Sequence, residues 1–170
     1  MRIGSVFQPD RGATDMLLSA VAARLVTAGL RVAGAVQTNS GCEVSPRCDM
    51  DLAILPDGPV IRISQSLGSA SQGCRLDAGA LEQAVLEVST RLAGAEILLI
   101  NKFGKHESEG RGFRTLIAEA LDQGIPVLIG INSQNRASFA DFAGDLAEPL
   151  PAEIDAIVDW CLAANMKIEA

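Results

Sequence analysis

The chain contains no tyrosine and a single histidine, and only 4% of its 170 residues are aromatic. Core volume must therefore come mainly from leucine, isoleucine, valine and alanine. A hydrolase triad needs a base and a group that orients it. His106 has only Ser108 beside it, too close in sequence to be diagnostic. Basic residues are also scarce: 14 Lys and Arg against 21 Asp and Glu leave a formal charge of −7. Binding to nucleic acid rests on a basic patch, and no Lys/Arg cluster supplies one. Apolar runs such as 125–131 fall far short of the roughly 20 residues that span a bilayer. The first seven residues, Met1-Arg2-Ile3-Gly4-Ser5-Val6-Phe7, enter a strand pattern at once without a signal-peptide core. These absences point to a cytoplasmic protein with no membrane insertion, and in that compartment the four cysteines are expected to be reduced.

What is present is an alternation of short β-rich runs with helical segments, the pattern of an α/β fold with a mostly parallel sheet. The length fits one domain over 1–170. Strands are expected at 2–7, 31–37, 96–101 and 125–131, and helices at 14–28, 77–92, 109–123 and 151–164. Gly29 and Gly124 are placed to end two of those helices. Between 38 and 77 the character changes. There 49–55 and 59–65 flank Pro56-Asp57-Gly58, which reads as a β-hairpin insertion. The stretch from the last strand to Pro151 reads as a polar connection.

The segment Phe7-Gln8-Pro9-Asp10-Arg11-Gly12-Ala13-Thr14 follows the first strand and opens the first helix. That is where a phosphate-binding loop of the form G-x-x-x-x-G-K-[ST] belongs. Aligned on Gly12 and Thr14, the chain has Phe7 at the first glycine and Ala13 at the lysine. Helix N-terminal amides favour an anion there, Gly12 allows close approach, Arg11 offers a cation and Thr14 a hydroxyl. The ordinary alternative is a strand-to-helix turn capped by Thr14. Alanine in place of lysine removes a point charge from the phosphates.

A second segment, 101–109, follows the apolar run Ile97-Leu98-Leu99-Ile100 and reaches the same side of the sheet. This run, Ile97-Leu98-Leu99-Ile100-Asn101-Lys102-Phe103-Gly104-Lys105-His106-Glu107, resembles the D-E-x-G-x-x-E segment of the nucleoside-triphosphatase family first described from thermophiles. The chain is more similar to a small bacterial P-loop-like family of uncharacterised function that accompanies molybdenum ABC transport. The matching residues are 101–107 together with Gly110-Arg111-Gly112, Gln65-Ser66-Leu67-Gly68 and Gly73-Cys74-Arg75-Leu76-Asp77. The resemblance implies a P-loop-NTPase-like three-layer sandwich, with a nucleotide, magnesium or molybdate as the expected ligands. The family's metal-holding aspartate and the acid after it are replaced here by Asn101 and Lys102, while Gly104 and Glu107 remain. An aspartate holds magnesium in such enzymes and a downstream carboxylate orients water. Asn101 offers only a neutral oxygen, and Lys102 repels a nearby metal ion.

The sequence therefore reads first as an anion- or nucleotide-binding protein serving molybdate uptake or molybdenum-cofactor metabolism. Arg11, Gly12, Ala13, Thr14, Asn101 and Lys102 are its expected anion site. A small-molecule anion or nucleotide is the expected partner, with a homo-oligomeric or transporter-associated assembly. The alternative is a magnesium-dependent nucleoside triphosphatase using Thr14, Asn101 and Glu107, with Glu107 as its catalytic carboxylate. A third reading is a metal or redox module built on Cys42, Cys48 and Cys74, with His106 as a further ligand. Against it, the C-x5-C spacing departs from the close pairs of zinc knuckles. Cys161 beside Trp160 reads as core. Arg111 and Arg114 are candidates to close over an anion, or else part of a solvated helix face.

Overall fold

The computed structural model describes residues 2–42, 48–66 and 75–166. Strands are β1 (Ile3–Phe7), β2 (Val32–Ser40), β3 (Asp49–Leu55), β4 (Val60–Arg62), β5 (Ile97–Phe103), β6 (Val127–Ile131) and β7 (Ala147–Pro149). Helices are α1 (Ala13–Thr27), α2 (Ala78–Ser89), α3 (Lys105–Ser108), α4 (Arg114–Asp122), α5 (Arg136–Ala143) and α6 (Ile154–Met166). They build one sheet in the order β4-β3-β2-β5-β6-β1-β7. The strands from β2 to β7 in that order run parallel, and the β3–β4 hairpin is antiparallel. This is the expected α/β sandwich, with the hairpin at one edge.

The parity of side chains along β5 divides the core. Ile97 and Leu99 face one side, where they meet Leu18, Val21 and Leu25 of α1 and Ile157 and Cys161 of α6. Leu98 and Ile100 face the other, where they meet Leu81 and Val88 of α2, Ile117 of α4 and Phe139 of α5. A strand apolar at every position is what burial on both faces requires. Asp77 caps α2 by accepting from the Ala80 N–H at 3.1 Å.

The structure departs from the sequence expectations in three places. A single helix was expected over 109–123, but α3 ends at Ser108 and α4 begins at Arg114. Gly110 and Gly112, at φ of 86° and 61°, turn the chain between them. The polar connection before Pro151 contains a 3₁₀ turn (Ser133–Asn135), α5 and β7. Helix α5 buries only Phe139 and Ala143, too few for a visible apolar stripe. The second hairpin arm is short, and beyond it Ser64 forms an isolated antiparallel bridge with Leu76, just before α2.

Two neighbouring strands also part company. Strand β2 pairs with β5 only from Val32 to Ala35, yet it continues along β3 to the Ser40–Asp49 pair. Beyond Ala35 the sheet splits, and the split opens at the carboxyl ends of its strands.

Candidate functional site

The loop after β1 is built from its own polar groups. The Thr14 hydroxyl accepts the Gln8 N–H at 3.1 Å, and the Ala13 N–H donates to the Asp10 carbonyl at 3.2 Å. Thr14 thus ties the loop together and is not the helix cap. That position falls to Gly12 at φ 76°, where a side chain would be strained and none caps the helix. The next amides of the first turn have no partner four residues back, so α1 starts with unused donors and the positive end of its dipole.

Behind this loop lies a buried polar relay. Asn101 donates from Nδ2 to Asp15 Oδ1 at 2.8 Å, while its Oδ1 accepts the Gln37 backbone N–H at 2.9 Å. The other Asp15 oxygen accepts from Asn39 Nδ2 at 2.8 Å, and Gln37 Nε2 donates to Asn39 Oδ1 at 2.8 Å. Asn101 stands where β2 leaves β5, and its side-chain oxygen satisfies a strand N–H that has lost its ladder. Both ends of the Asn101 amide are therefore engaged in holding β5 to α1 and β2. Sequence reasoning missed Asp15, whose only signal was its place in the first turn of α1.

Lys102 follows directly. It is half-buried and forms no ion pair among the described residues. It lines three adjoining cavities of about 720, 400 and 230 Å³. Arg11, Gly12 and Asp15 line the first two, and Thr14 and Asn101 line the second. Ala13 lines none of these three. One turn along α1 from Asp15, Ser19 borders the cavity of about 720 Å³, and its buried hydroxyl has no hydrogen-bond partner among the described residues. No local signal in the sequence singles out Ser19.

Glu107 is held by the backbone that follows β5. It is 3% exposed, and its two oxygens accept the Gly104 N–H at 2.9 Å and the Phe113 N–H at 3.0 Å. A Cβ on Gly112 would collide with one of those oxygens. Through these two bonds the carboxylate braces the turn from β5 to α4. Nor do the two arginines form an anion clamp. Arg111 pairs with Glu109 and holds that carboxyl below the usual range. Arg114 donates to the Glu107 carbonyl at 3.1 Å and lies over the Phe142 ring.

The cysteines correct the expectation that they are reduced. Cys42 and Cys48 form a disulfide, with Cα atoms 4.5 Å apart. Both cysteines lie just past the Ser40–Asp49 pair that ends the β2–β3 ladder, at the open end of the same antiparallel pair. A pair in this state has no thiolates to give a metal. Among the described residues no group of three or more His, Cys, Asp or Glu could hold one. Cys74, the third expected ligand, lies outside the described residues. His106 borders the cavity of about 230 Å³, whereas Cys42 and Cys48 border that of about 720 Å³. Cys161 is core as expected, and burial pushes its thiol up to about 12.

Comparison with known proteins gives three matches. A sequence family described as "Protein of unknown function (DUF2478)" matches residues 3–160. The molybdenum import ATP-binding protein ModC 2 of Bradyrhizobium diazoefficiens is 35% identical over 164 residues. That alignment takes in 94% of this chain but spans only 18% of the length of the relative. The solution structure of a human cancer-related nucleoside triphosphatase shares the fold, with a TM-score of 0.61 at 17% identity. It covers 95% of this chain and 97% of its own.

Proposed function

The chain belongs to the family described as proteins of unknown function, DUF2478, and on that premise we propose that its crevice binds a nucleotide or a small oxyanion without magnesium. One observation carries this reading. Lys102 is a half-buried cation with no carboxylate paired to it among the described residues, at the junction of three cavities. The N-terminus of α1 and Arg11 border two of the same cavities, so an anion there meets backbone donors and two side-chain charges. The partnerless Ser19 hydroxyl adds a donor. In this reading Gly12, Thr14 and Asn101 shape the site while Arg11 and Lys102 bind, and Ala13 contributes backbone alone.

Magnesium fits these residues poorly. Asn101 stands at the aspartate position with its oxygen bonded to Gln37, and the next residue is a cation. The Thr14 hydroxyl already accepts a backbone N–H. A service to molybdenum uptake or cofactor supply, in the cytoplasm, rests on the name of the Bradyrhizobium relative and on the resemblance of residues 101–107.

Calorimetry on the purified protein tests the proposal, with ADP, ATP, pyrophosphate, molybdate and tungstate, each with and without magnesium. Binding without magnesium is expected, weakened about tenfold or more in Lys102→Ala, as for loss of a charged hydrogen bond. A variant that binds every anion as well as the unsubstituted chain refutes it. Magnesium-dependent phosphate release would replace it with the triphosphatase reading.

A further inference from the structure

The disulfide and the crevice meet at one residue, Arg11. Cys42 and Cys48 both border the largest cavity, beside Arg11 and Lys102. The two sulfurs are not equivalent. Cys42 is exposed, whereas Cys48 is half-buried. Arg11 Nη2 lies 3.8 Å from Cys48 Sγ, and Arg75 Nη1 donates to the Cys48 carbonyl at 3.1 Å. Positive charge beside a sulfur favours its thiolate and makes it the better leaving group in disulfide exchange. Exposure and electrostatics therefore choose the same direction of attack: onto Cys42, with Cys48 departing.

We propose that Cys42–Cys48 is a reversible redox site for a dithiol reductant, and that the Cys48 thiolate formed on reduction draws Arg11 from the anion crevice. A thiolate of the reductant attacks Cys42 Sγ, the Cys42–Cys48 bond breaks, and its electron pair stays on Cys48. The second thiol of the reductant then attacks its own sulfur in the mixed disulfide and releases Cys42. Two electrons pass to the protein and the reductant becomes a disulfide. One of its two protons ends on Cys42 and the other in solvent. The guanidinium at Cys48 then faces a full negative charge within contact distance, and pairing there competes with any anion that Arg11 would bind. The second half of the proposal rests on the anion-binding reading above; the first half does not.

The test separates the halves. In a Cys74→Ser background, with the full chain as control, the oxidised protein is opened with dithiothreitol and trapped with limiting iodoacetamide at neutral pH. Peptide mapping is expected to find Cys48 labelled ahead of the more exposed Cys42, and both sulfurs re-paired when reductant is removed. Arg11→Gln should abolish that preference while leaving the disulfide able to form. Earlier labelling of Cys42, or failure to re-pair, overturns the redox site. Pyrophosphate binding is then measured in both states without magnesium. The reduced protein should bind roughly fivefold more weakly, a modest coupling, and Arg11→Gln should bind equally in the two states. Equal affinity of the two states in the unsubstituted chain overturns the coupling. Binding in neither state refutes the anion site and the coupling with it, and the labelling order still decides the redox site.

Discussion

Asp15 and Asn101, 86 positions apart in the chain, meet through a hydrogen bond of 2.8 Å with both side chains buried. The pair fastens the first turn of α1 to the end of β5.

An aspartate at position 101 is expected to harm the protein. Asn101→Asp removes a donor and puts two carboxylates in contact, so one of them has its pKa raised on folding. A raised carboxylate pKa makes the folded state the better proton binder, so stability falls as pH rises through the titration. A loss of about 3 kcal/mol at pH 7 is expected, as for an uncompensated buried charge, and less near pH 5. Urea unfolding at the two pH values measures it, and equal stabilities would count against the contact.

Asp15→Asn separates binding from stability. The variant keeps one acceptor and removes a negative charge that borders two of the cavities. Stability should drop by about 1 kcal/mol for the disturbed hydrogen bond. Pyrophosphate affinity should rise severalfold in calorimetry. A weaker-binding variant with an intact fold would place the anion away from Asp15.

Glu107 and Gly112 form a lock that can be broken from either side. Glu107→Ala leaves two buried N–H groups unpaired and should cost about 3 kcal/mol. Gly112→Ala adds a collision with the carboxylate at a positive φ and should cost about 2 kcal/mol. Thermal unfolding checks both. A Glu107→Ala protein of unchanged stability would return that carboxylate to the catalytic reading.

Cys161 should resist alkylation in the folded chain up to strongly alkaline pH and react at once on unfolding. Its thiol is raised from 9.0 to about 12 by burial. The neutral form is favoured in the fold, so this contribution is whole below pH 9 and is lost as pH rises toward 12. Iodoacetamide labelling against pH, followed by mass spectrometry, reads it. Labelling of the native protein at pH 9 would contradict the burial.

The local patterns were readable and the long-range ones were not. Ile97-Leu98-Leu99-Ile100 announces a central strand, and the Pro56-Asp57-Gly58 turn announces the hairpin, because each is written in consecutive residues. The two halves of the Asp15–Asn101 bond lie on separate elements and carry no shared local signal. The disulfide joins residues just past the end of the β2–β3 ladder, a proximity that only strand pairing reveals. Glu107 was legible as a motif residue but its bonding was not, since the amides it accepts come from Gly104 and from Phe113 on two separate turns. The split of the expected 109–123 helix was signalled by Gly110 and Gly112. It was outweighed by the apolar spacing that follows them.

The parting of β2 from β5 has a consequence for how a ligand is received. The gap is made during folding, because Asn101 supplies the oxygen that the missing strand partner would have given to the Gln37 N–H. No hydrogen bond between the two strands has to be broken at that point when a molecule enters. The work of separating them is done once, when the chain folds, and the vacancy is held at its rear by an amide that belongs to neither ladder. A guest in the crevice meets a preorganised wall, so its arrival should leave hydrogen exchange at Gln37 unchanged even where the loop after β1 becomes quieter.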